Sequence, residues 1–464
     1  MSRKNTYGSR LPEFLNDEEL QTFLDEHLTE ACSNGDIDQV IDLLQKGASV
    51  EGDAWIQSQL LDGENFMTPL MSASMNGHHK IVKLLLGNDA EPNKGDRYNV
   101  TPLHCAALSG HEHCIELLIR AGSNVRAATL NYNRIGVHQK PHRAGTTSLH
   151  LAARQNHPGC IKRLLEDGKA DINQANVLGL TALNIACQNG HEESILTLIN
   201  FGKEGCLSHV ASQVSADTTL HHCVRHGLVQ ATRELLKYGM DPNKRNAAGY
   251  TPLHFAVVQN CVPHADMIRV LIENGRGIDV NAAIGDELAG IRNRAGRKGA
   301  GLRALHLVAF SPPEVSHSHE LHTMEYHLST EFVTNADPNT PIRDVNSASL
   351  LIQYGADTSV CYKGRTLMQQ EIYNQSGTDL LELLIRSELR VDIPDRPDGI
   401  SDEQFKVSDA ERKINWLKGL SRIAPSLQQC CRIKIREFVT PLRLNRIHEL
   451  PVPSKLKDYI LLKY

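Results

Sequence analysis

The chain has 464 residues and a net charge of only −5, from 49 basic and 54 acidic side chains. A chain of this length exceeds one ordinary compact core, which predicts several domains or an elongated repeat array, and the balanced charge does not indicate bulk attraction to nucleic acid. The 11 cysteines form no CxxC pair, which argues against a disulfide framework and against a zinc ribbon or RING module.

The N-terminal segment, residues 1–19, has no apolar leader core. No stretch of the chain approaches the roughly 20 apolar residues that a membrane helix requires. Unpaired cysteines are typical of a reducing compartment. These features predict a soluble protein of the cytoplasm, with the nucleus as a second compartment, and no membrane partner.

A pattern of two short helices recurs along residues 20–390. It reads TPLHCAALSG from Thr101 and TPLHFAVVQN from Thr251, and successive copies from Thr68 to Thr251 begin 33, 46, 34, 37 and 33 residues apart. Threonine caps helix N-termini, proline fits the first helical position, and a glycine can end the helix in the left-handed conformation. A Leu-rich run then supplies the apolar stripe of a second, antiparallel helix.

This period and these recurring residues resemble the ankyrin repeat. The resemblance implies an all-α repeat protein, an ankyrin solenoid of about eight to nine repeats with hairpin fingers, because no unit can bury its apolar face alone. The segment after Gly364 is expected to be a degraded ninth unit that caps the array. Residues 391–423 are predicted to be a linker with a capping helix, which a capping box of Ser408 and Glu411 begins.

Two insertions, residues 123–146 and 276–302, lengthen the hairpin finger at the same phase of the repeat and are expected to project from the same side. Both contain an acid-free basic stretch: the first carries Arg134, Lys140 and Arg143 beside Arg126, and the second carries Arg292, Arg294, Arg297 and Lys298 beside Arg303. They are interpreted either as solvated loops or as a basic surface for the acidic segment of a protein substrate. A nucleic-acid surface is the least favoured interpretation, and no nucleic acid is expected as a partner.

A third insertion, residues 311–343, splits the two helices of one unit. Its four histidines and two of its glutamates could together be interpreted as a metal cluster: His317, His319, His322, His327, Glu320 and Glu325. Their spacing is not HExxH and the segment begins with two prolines, so no metal and no other cofactor is predicted. No catalytic motif is evident elsewhere, and the chain is not expected to be an enzyme.

Near the C-terminus Leu427, Cys431 and Ile435 recur at i, i+4 and i+8 on one helical face. Taken by itself, this apolar stripe is more typical of the protein's own core than of a partner-binding site. Downstream lies a proline-rich apolar group formed by Leu450, Pro451, Val452, Pro453, Leu456, Tyr459 and Ile460. In this order the two elements resemble the BC box and the cullin box of a SOCS box, here residues 424–464.

With the array before it, the chain resembles the ankyrin repeat and SOCS box protein family. The resemblance implies a substrate-recognition adaptor in which Leu427, Cys431 and Ile435 bind elongin C, which travels with elongin B. It further implies that the segment from Leu450 to Ile460 binds cullin-5, which brings its RING partner, while the array holds a client protein. Four alternatives stay open: an ankyrin scaffold with no ligase role, an enzyme built on the histidine-rich insertion, a nucleic-acid binder that uses the basic fingers, and a tail that folds onto its own array.

Overall fold

The computed structural model describes residues 17–52, 54–58, 63–130, 144–202, 217–246, 249–258, 264–284, 303–309 and 345–358, with the short pieces 361–362, 365–367 and 384. The predicted N-terminal segment up to residue 16, the linker and capping helix of residues 391–423 and nearly all of the degraded ninth unit lie outside these residues. The chain divides into two compact units, residues 1–208 and 209–464.

The described part of the first unit contains ten helices in five consecutive pairs. They are α1 (Asp17–Asn34) and α2 (Ile37–Gln45), α3 (Pro69–Met75) and α4 (His79–Gly87), α5 (Pro102–Ser109) and α6 (Glu112–Arg120), α7 (Ser148–Arg154) and α8 (Pro158–Glu166), and α9 (Ala182–Asn189) and α10 (Glu192–Gly202). An antiparallel hairpin of β1 (Ala54–Ser58) and β2 (Gly63–Met67) joins α2 to α3. First helices pack on first helices and second helices on second helices.

The described part of the second unit contains three further pairs. They are α11 (Thr219–Arg225) and α12 (Val229–Lys237), α13 (Pro252–Val258) and α14 (His264–Asn274), and α15 (Ala304–Ala309) and α16 (Val345–Gln353). The short strands β3 (Cys361–Tyr362) and β4 (Arg365–Thr366) follow. The prediction of a helical repeat protein is therefore confirmed.

The threonine and histidine of the repeat motif explain where several of the first helices begin. The His104 Nδ1 accepts hydrogen bonds from the Thr101 amide at 3.1 Å and from its hydroxyl at 2.8 Å, and His150 does the same for Thr147. Because Nδ1 accepts, the ring proton lies on Nε2, and the His150 Nε2 donates to the Leu180 carbonyl at 3.0 Å. One histidine thus caps its own helix and contacts the next repeat.

A second row of histidines ties four of the inter-helix turns to the preceding repeat. The His157 Nε2 lies 3.2 Å from the Leu108 carbonyl oxygen, and His78, His111 and His191 make equivalent contacts. Gly110 ends α5 with φ +85°, and a Cβ at this position would lie 2.7 Å from the His157 ring. The turn therefore requires glycine both for its left-handed backbone and for the close approach of histidine.

The core lies between the stacked helices. Leu103, Ile115, Leu118, Ile161 and Leu164 are fully buried, and small residues such as Ala106 and Ala107 let neighbouring first helices approach closely. Two positions at which the sequence replaces the usual glycine, Asp89 and Asn156, adopt the left-handed conformation with φ +60° and +59°. These substitutions therefore preserve the turn.

The eighth helix pair keeps the repeat register although residues 311–343 interrupt it. Helices α15 and α16 contact each other and pack on α13 and α14 respectively. The Asn281 side chain bonds the Gly355 carbonyl at 3.0 Å and the Asp357 amide at 2.7 Å, the same contacts that Asn243 makes with Gly277 and Asp279. The predicted split of one unit is thus seen at both ends of the insertion.

Replacing residues 311–343 by a short Gly-Ser linker is expected to leave the melting temperature within a few degrees of the full chain. The stacking contacts of the eighth pair lie outside the insertion, and a shorter loop costs less closure entropy. Thermal unfolding followed by circular dichroism measures this. A large loss of helical signal would show that the insertion itself holds α15 and α16 together.

Candidate functional site

Every residue that the sequence predicts to bind a partner lies outside the described residues. These residues are Leu427, Cys431 and Ile435 for elongin, Leu450, Pro451, Val452, Pro453, Leu456, Tyr459 and Ile460 for the cullin, and Arg134, Lys140, Arg143, Arg292, Arg294, Arg297 and Lys298 for the substrate. The structure describes instead the roots of both basic insertions.

The first basic insertion leaves the array through a closed stem. The Thr129 amide donates to the Thr146 carbonyl at 3.0 Å, and the Gly145 amide donates to the Thr129 carbonyl at 2.8 Å. The Thr129 hydroxyl also accepts from the Thr146 amide at 3.2 Å. The two limbs are therefore paired where they leave the array.

The neighbouring fingers hold this stem from both sides. On one side the Leu130 amide donates to the Tyr98 carbonyl at 2.9 Å, and on the other the Val177 amide donates to the Ala144 carbonyl at 3.0 Å. The Asn99 side chain also donates to the Ala128 carbonyl at 2.7 Å. Backbone hydrogen bonds thus join three consecutive fingers of the first unit into one surface.

Apolar side chains are exposed on this surface. Among the described residues the large apolar side chains with clear exposure are Ile41 at 38%, Leu130 at 58% and Val177 at 66%. Two of the three lie on neighbouring fingers beside the stem. On the finger that precedes these two in the chain, the Arg97 guanidinium lies over the Tyr98 ring at 4.8 Å from its centroid, which is a cation–π contact. The sequence analysis did not single out Leu130 or Val177, although an aliphatic residue in a finger turn is a signal that could have identified them.

The second basic insertion is rooted differently. A single antiparallel bridge joins Ala283 to Arg303, and the Arg303 guanidinium lies 3.3 Å from the Asp357 carboxylate. Arg303 was counted with the acid-free basic group in the sequence, but its charge is partly compensated by an acid 54 residues away. Arg292, Arg294, Arg297 and Lys298 of this insertion lie outside the described part.

The described histidines and cysteines serve the fold. Burial lowers the pKa of His104 and of His150 to about 4, and that of His222 to about 3. Burial also raises the pKa of Cys32 to about 12 and that of Cys114 to about 11. At neutral pH these groups are uncharged imidazoles and thiols, which are poorly suited to proton transfer at an exposed substrate or to nucleophilic attack.

Within the described residues, no three His, Cys, Asp or Glu side chains are grouped so that they could hold a metal ion. The histidine-rich segment from His317 to His327 lies outside that part of the chain. None of the described helices combines the length and the apolar character that crossing a membrane requires.

Two family models match the chain. A model described as ankyrin repeats (3 copies) matches residues 28–129, 126–208 and 201–284, and one described as a SOCS box matches residues 424–461. The Neurogenic locus Notch protein of Drosophila melanogaster is 26% identical over 133 residues, covering 26% of this chain and 5% of that protein. Protein phosphatase 1 regulatory subunit 27 of Homo sapiens is 37% identical over 67 residues, covering 14% of this chain and 42% of that protein.

The B-cell lymphoma 3 protein homolog of Mus musculus is 28% identical over 108 residues, which are 23% of either chain. The chain thus spans less than half the length of each of these three curated relatives. Among solved structures, the crystal structure of the human ASB11 ankyrin repeat domain has a TM-score of 0.40 and 23% identity, and the match covers 53% of this chain and 96% of that one.

Proposed function

We propose that this chain, because it belongs to the ankyrin repeat and SOCS box protein family, is the substrate-recognition adaptor of a ubiquitin ligase. The observation that carries the proposal is the SOCS box at residues 424–461, placed after an array of ankyrin repeats. Both are binding modules without catalytic chemistry of their own. The adaptor accelerates ubiquitin transfer by holding a client near the charged conjugating enzyme.

The finer part of the proposal assigns the C-terminal residues. The stripe of Leu427, Cys431 and Ile435 binds a groove on elongin C in the manner of an amphipathic helix, and elongin B accompanies it. The segment from Leu450 to Ile460 recruits cullin-5 with its RING partner. Pro451 and Pro453 restrict the backbone before docking, which reduces the conformational entropy lost on binding.

The described cysteines support the proposed compartment. Six described cysteines are buried and form no disulfide with one another: Cys32, Cys105, Cys114, Cys160, Cys187 and Cys223. Thiols that remain unpaired are typical of a reducing environment. We therefore place the adaptor in the cytoplasm, with the nucleus as a second compartment.

Proximity labelling in cells under proteasome inhibition tests the proposal, with the intact chain compared to the Leu427→Ala, Cys431→Ala variant. Elongins and cullin are expected to be lost from the variant, while clients remain with both proteins and accumulate on the variant. Identical labelled sets, with no client stabilised, would support the alternative of a scaffold without a ligase role.

Substituting Pro451→Ala and Pro453→Ala is expected to weaken cullin recruitment about tenfold while sparing elongin binding. The two alanines free a backbone that the prolines restrict, and about 0.4–1 kcal/mol is typical for each such change. Pull-down of purified cullin-5 by the adaptor–elongin complex measures the loss. Equal loss of elongin and cullin would mean that the two segments do not act separately.

The basic insertions motivate a proposal about the client, which we infer offers an acidic segment. Charge reversal at Arg292, Arg294, Arg297 and Lys298 is expected to remove a distinct subset of the proximity-labelled clients, because opposite charges steer association and like charges oppose it. Elongin labelling provides the internal control. An unchanged client set would exclude the second insertion from client binding.

A further inference from the structure

A buried cluster at the second helix pair is rich in sulfur. Met67, Met71 and Met75 pack there against one another and against Cys105, and none of the four side chains is more than 6% exposed. Three of the eight methionines in the chain therefore meet in one place. We call these four residues the sulfur cluster.

Local structure brings the four side chains together. Met71 and Met75 are four residues apart in α3 and so lie on one face of that helix. Met67 ends β2 immediately before the capping residue Thr68, and Cys105 lies on α5, which packs on α3. The side chains thus reach the same part of the interior from three segments of the backbone.

The repeat motif itself does not require sulfur at these positions. Met71 is the third residue after a capping threonine, where α5 and α7 carry the capping histidines His104 and His150. Cys105 occupies the position that Leu151 occupies in α7. Sulfur at this interface is therefore a property of these two neighbouring helices and not of the repeat.

The chemistry of the cluster limits the kind of ion that it can bind. Thioethers are neutral, soft ligands, which favour Cu(I) over hard cations such as Mg²⁺ and Ca²⁺. Burial, and after it the charge of Asp96, raises the pKa of the Cys105 thiol, so this group is protonated at neutral pH. Zinc is bound by thiolates, imidazoles and carboxylates, and thioethers are not among its usual ligands.

A carboxylate beside the cluster favours a cation. The Asp96 charge acts on Cys105, and the carboxylate is held in place by the amides of Tyr98 and Val100 at 2.8 Å each. Opposite charges attract strongly in a poorly polarisable interior, and one negative charge matches a monovalent ion. Val100 and Leu108 pack against the cluster and are only partly buried, so the cluster lies close to the surface.

We propose that the sulfur cluster binds one Cu(I) ion, held by the thioethers of Met67, Met71 and Met75 with Cys105 as a fourth sulfur. The bound ion links α3 to α5. It stabilises the array against unfolding, because only the folded chain brings the four sulfurs together. This inference is independent of the SOCS box and does not rest on the proposed ligase role.

Anaerobic titration of the purified full chain with Cu(I), in competition with the chromophoric chelator bicinchoninate, tests the inference. Exposed thiols are first blocked with N-ethylmaleimide, which leaves the buried Cys105 unmodified. The unchanged chain is expected to withdraw one Cu(I) from the chelator. Met71→Leu with Met75→Leu should bind it at least about a hundredfold more weakly, since even residues outside the ligand shell typically contribute about 10–100-fold.

The matched control is Met267→Leu, which replaces a buried methionine of α14 outside the cluster. It should bind Cu(I) as the unchanged chain does. Exchange of methionine for leucine conserves volume, so the helical signal should be the same in both variants. Ag(I), a soft ion that does not change its oxidation state here, should raise the melting temperature of the unchanged chain and of the control, but not that of the double variant.

X-ray absorption at the copper edge identifies the ligands. Only sulfur neighbours are expected, and uptake should be the same at about pH 7.5 and about pH 6, because a thioether has no titratable proton. Equal affinity in the Met71→Leu, Met75→Leu variant would overturn the inference, since the methionines would then serve packing alone. No uptake by the unchanged chain, or nitrogen and oxygen neighbours in the spectrum, would overturn it as well.

Discussion

Replacing Leu427 and Cys431 by alanine is expected to abolish co-purification of elongin C and elongin B with this chain. In the proposed complex both side chains are buried in the elongin groove. Truncating a buried leucine typically costs about 2–5 kcal/mol, and about 1.4 kcal/mol corresponds to a factor of ten in affinity. The leucine alone therefore accounts for a loss of roughly thirtyfold or more, and Cys431 adds to it.

The control for this double variant lies on the opposite side of the same predicted helix. At about 100° per residue, Gln429 and Arg436 are roughly half a turn away from Leu427. Gln429→Ala with Arg436→Ala should retain elongin, and the helical signal of the array should be the same in both variants. Retention of elongin by the Leu427→Ala, Cys431→Ala protein would refute the assigned face.

The protein is expected to lose stability steeply between pH 6.5 and pH 4. His104 and His150 are buried and have a pKa of about 4, against 6.5 for an unperturbed imidazole. Above pH 6.5 both rings are neutral in the folded and unfolded states. As the pH falls below 6.5, these histidines become protonated in the unfolded chain but stay neutral in the folded protein. The free energy of unfolding therefore decreases, by up to about 3 kcal/mol for each histidine near pH 4.

Protonation also breaks a specific contact. Nδ1 accepts the amides of Thr101 and Thr147, and a proton on Nδ1 would remove that acceptor. The chain itself supplies the non-titrating replacement, because Asn184 makes the same contacts with Thr181 at 3.0 and 2.9 Å. His104→Asn with His150→Asn should therefore show a smaller shift of the urea midpoint between about pH 7 and about pH 4.5. Equal shifts would mean that other groups cause the acid sensitivity.

The helical pairs could be predicted from the sequence because their determinants are local. In several pairs a threonine, a histidine three residues later and an inter-helix turn set the helix start, and Thr101 with His104 shows the mechanism. The drift from glycine to Asp89 and Asn156 did not disturb the prediction, since both residues can adopt the left-handed backbone. The insertion between α15 and α16 was likewise visible as a break in the period.

Contacts between distant parts of the chain could not be predicted in the same way. The Arg303 guanidinium pairs with the Asp357 carboxylate, and the Tyr354 hydroxyl donates a hydrogen bond of 2.8 Å to Glu273, which lies 81 residues away in sequence. Such pairings depend on how repeats stack. The exposure of Leu130 and Val177 depends on the neighbouring fingers for the same reason, so the sequence pattern did not predict it. The residues assigned to elongin and cullin remain predictions from the SOCS box motif.

Direct binding of the purified elongin B–elongin C heterodimer to the purified chain, measured by calorimetry, tests the central claim most directly. The full chain should bind the heterodimer, and a chain ending at residue 423, which lacks the SOCS box match at 424–461, should release no binding heat while keeping the helical content of its array. Binding of equal strength to both chains, or to neither, would contradict the assignment of this protein as a ligase adaptor.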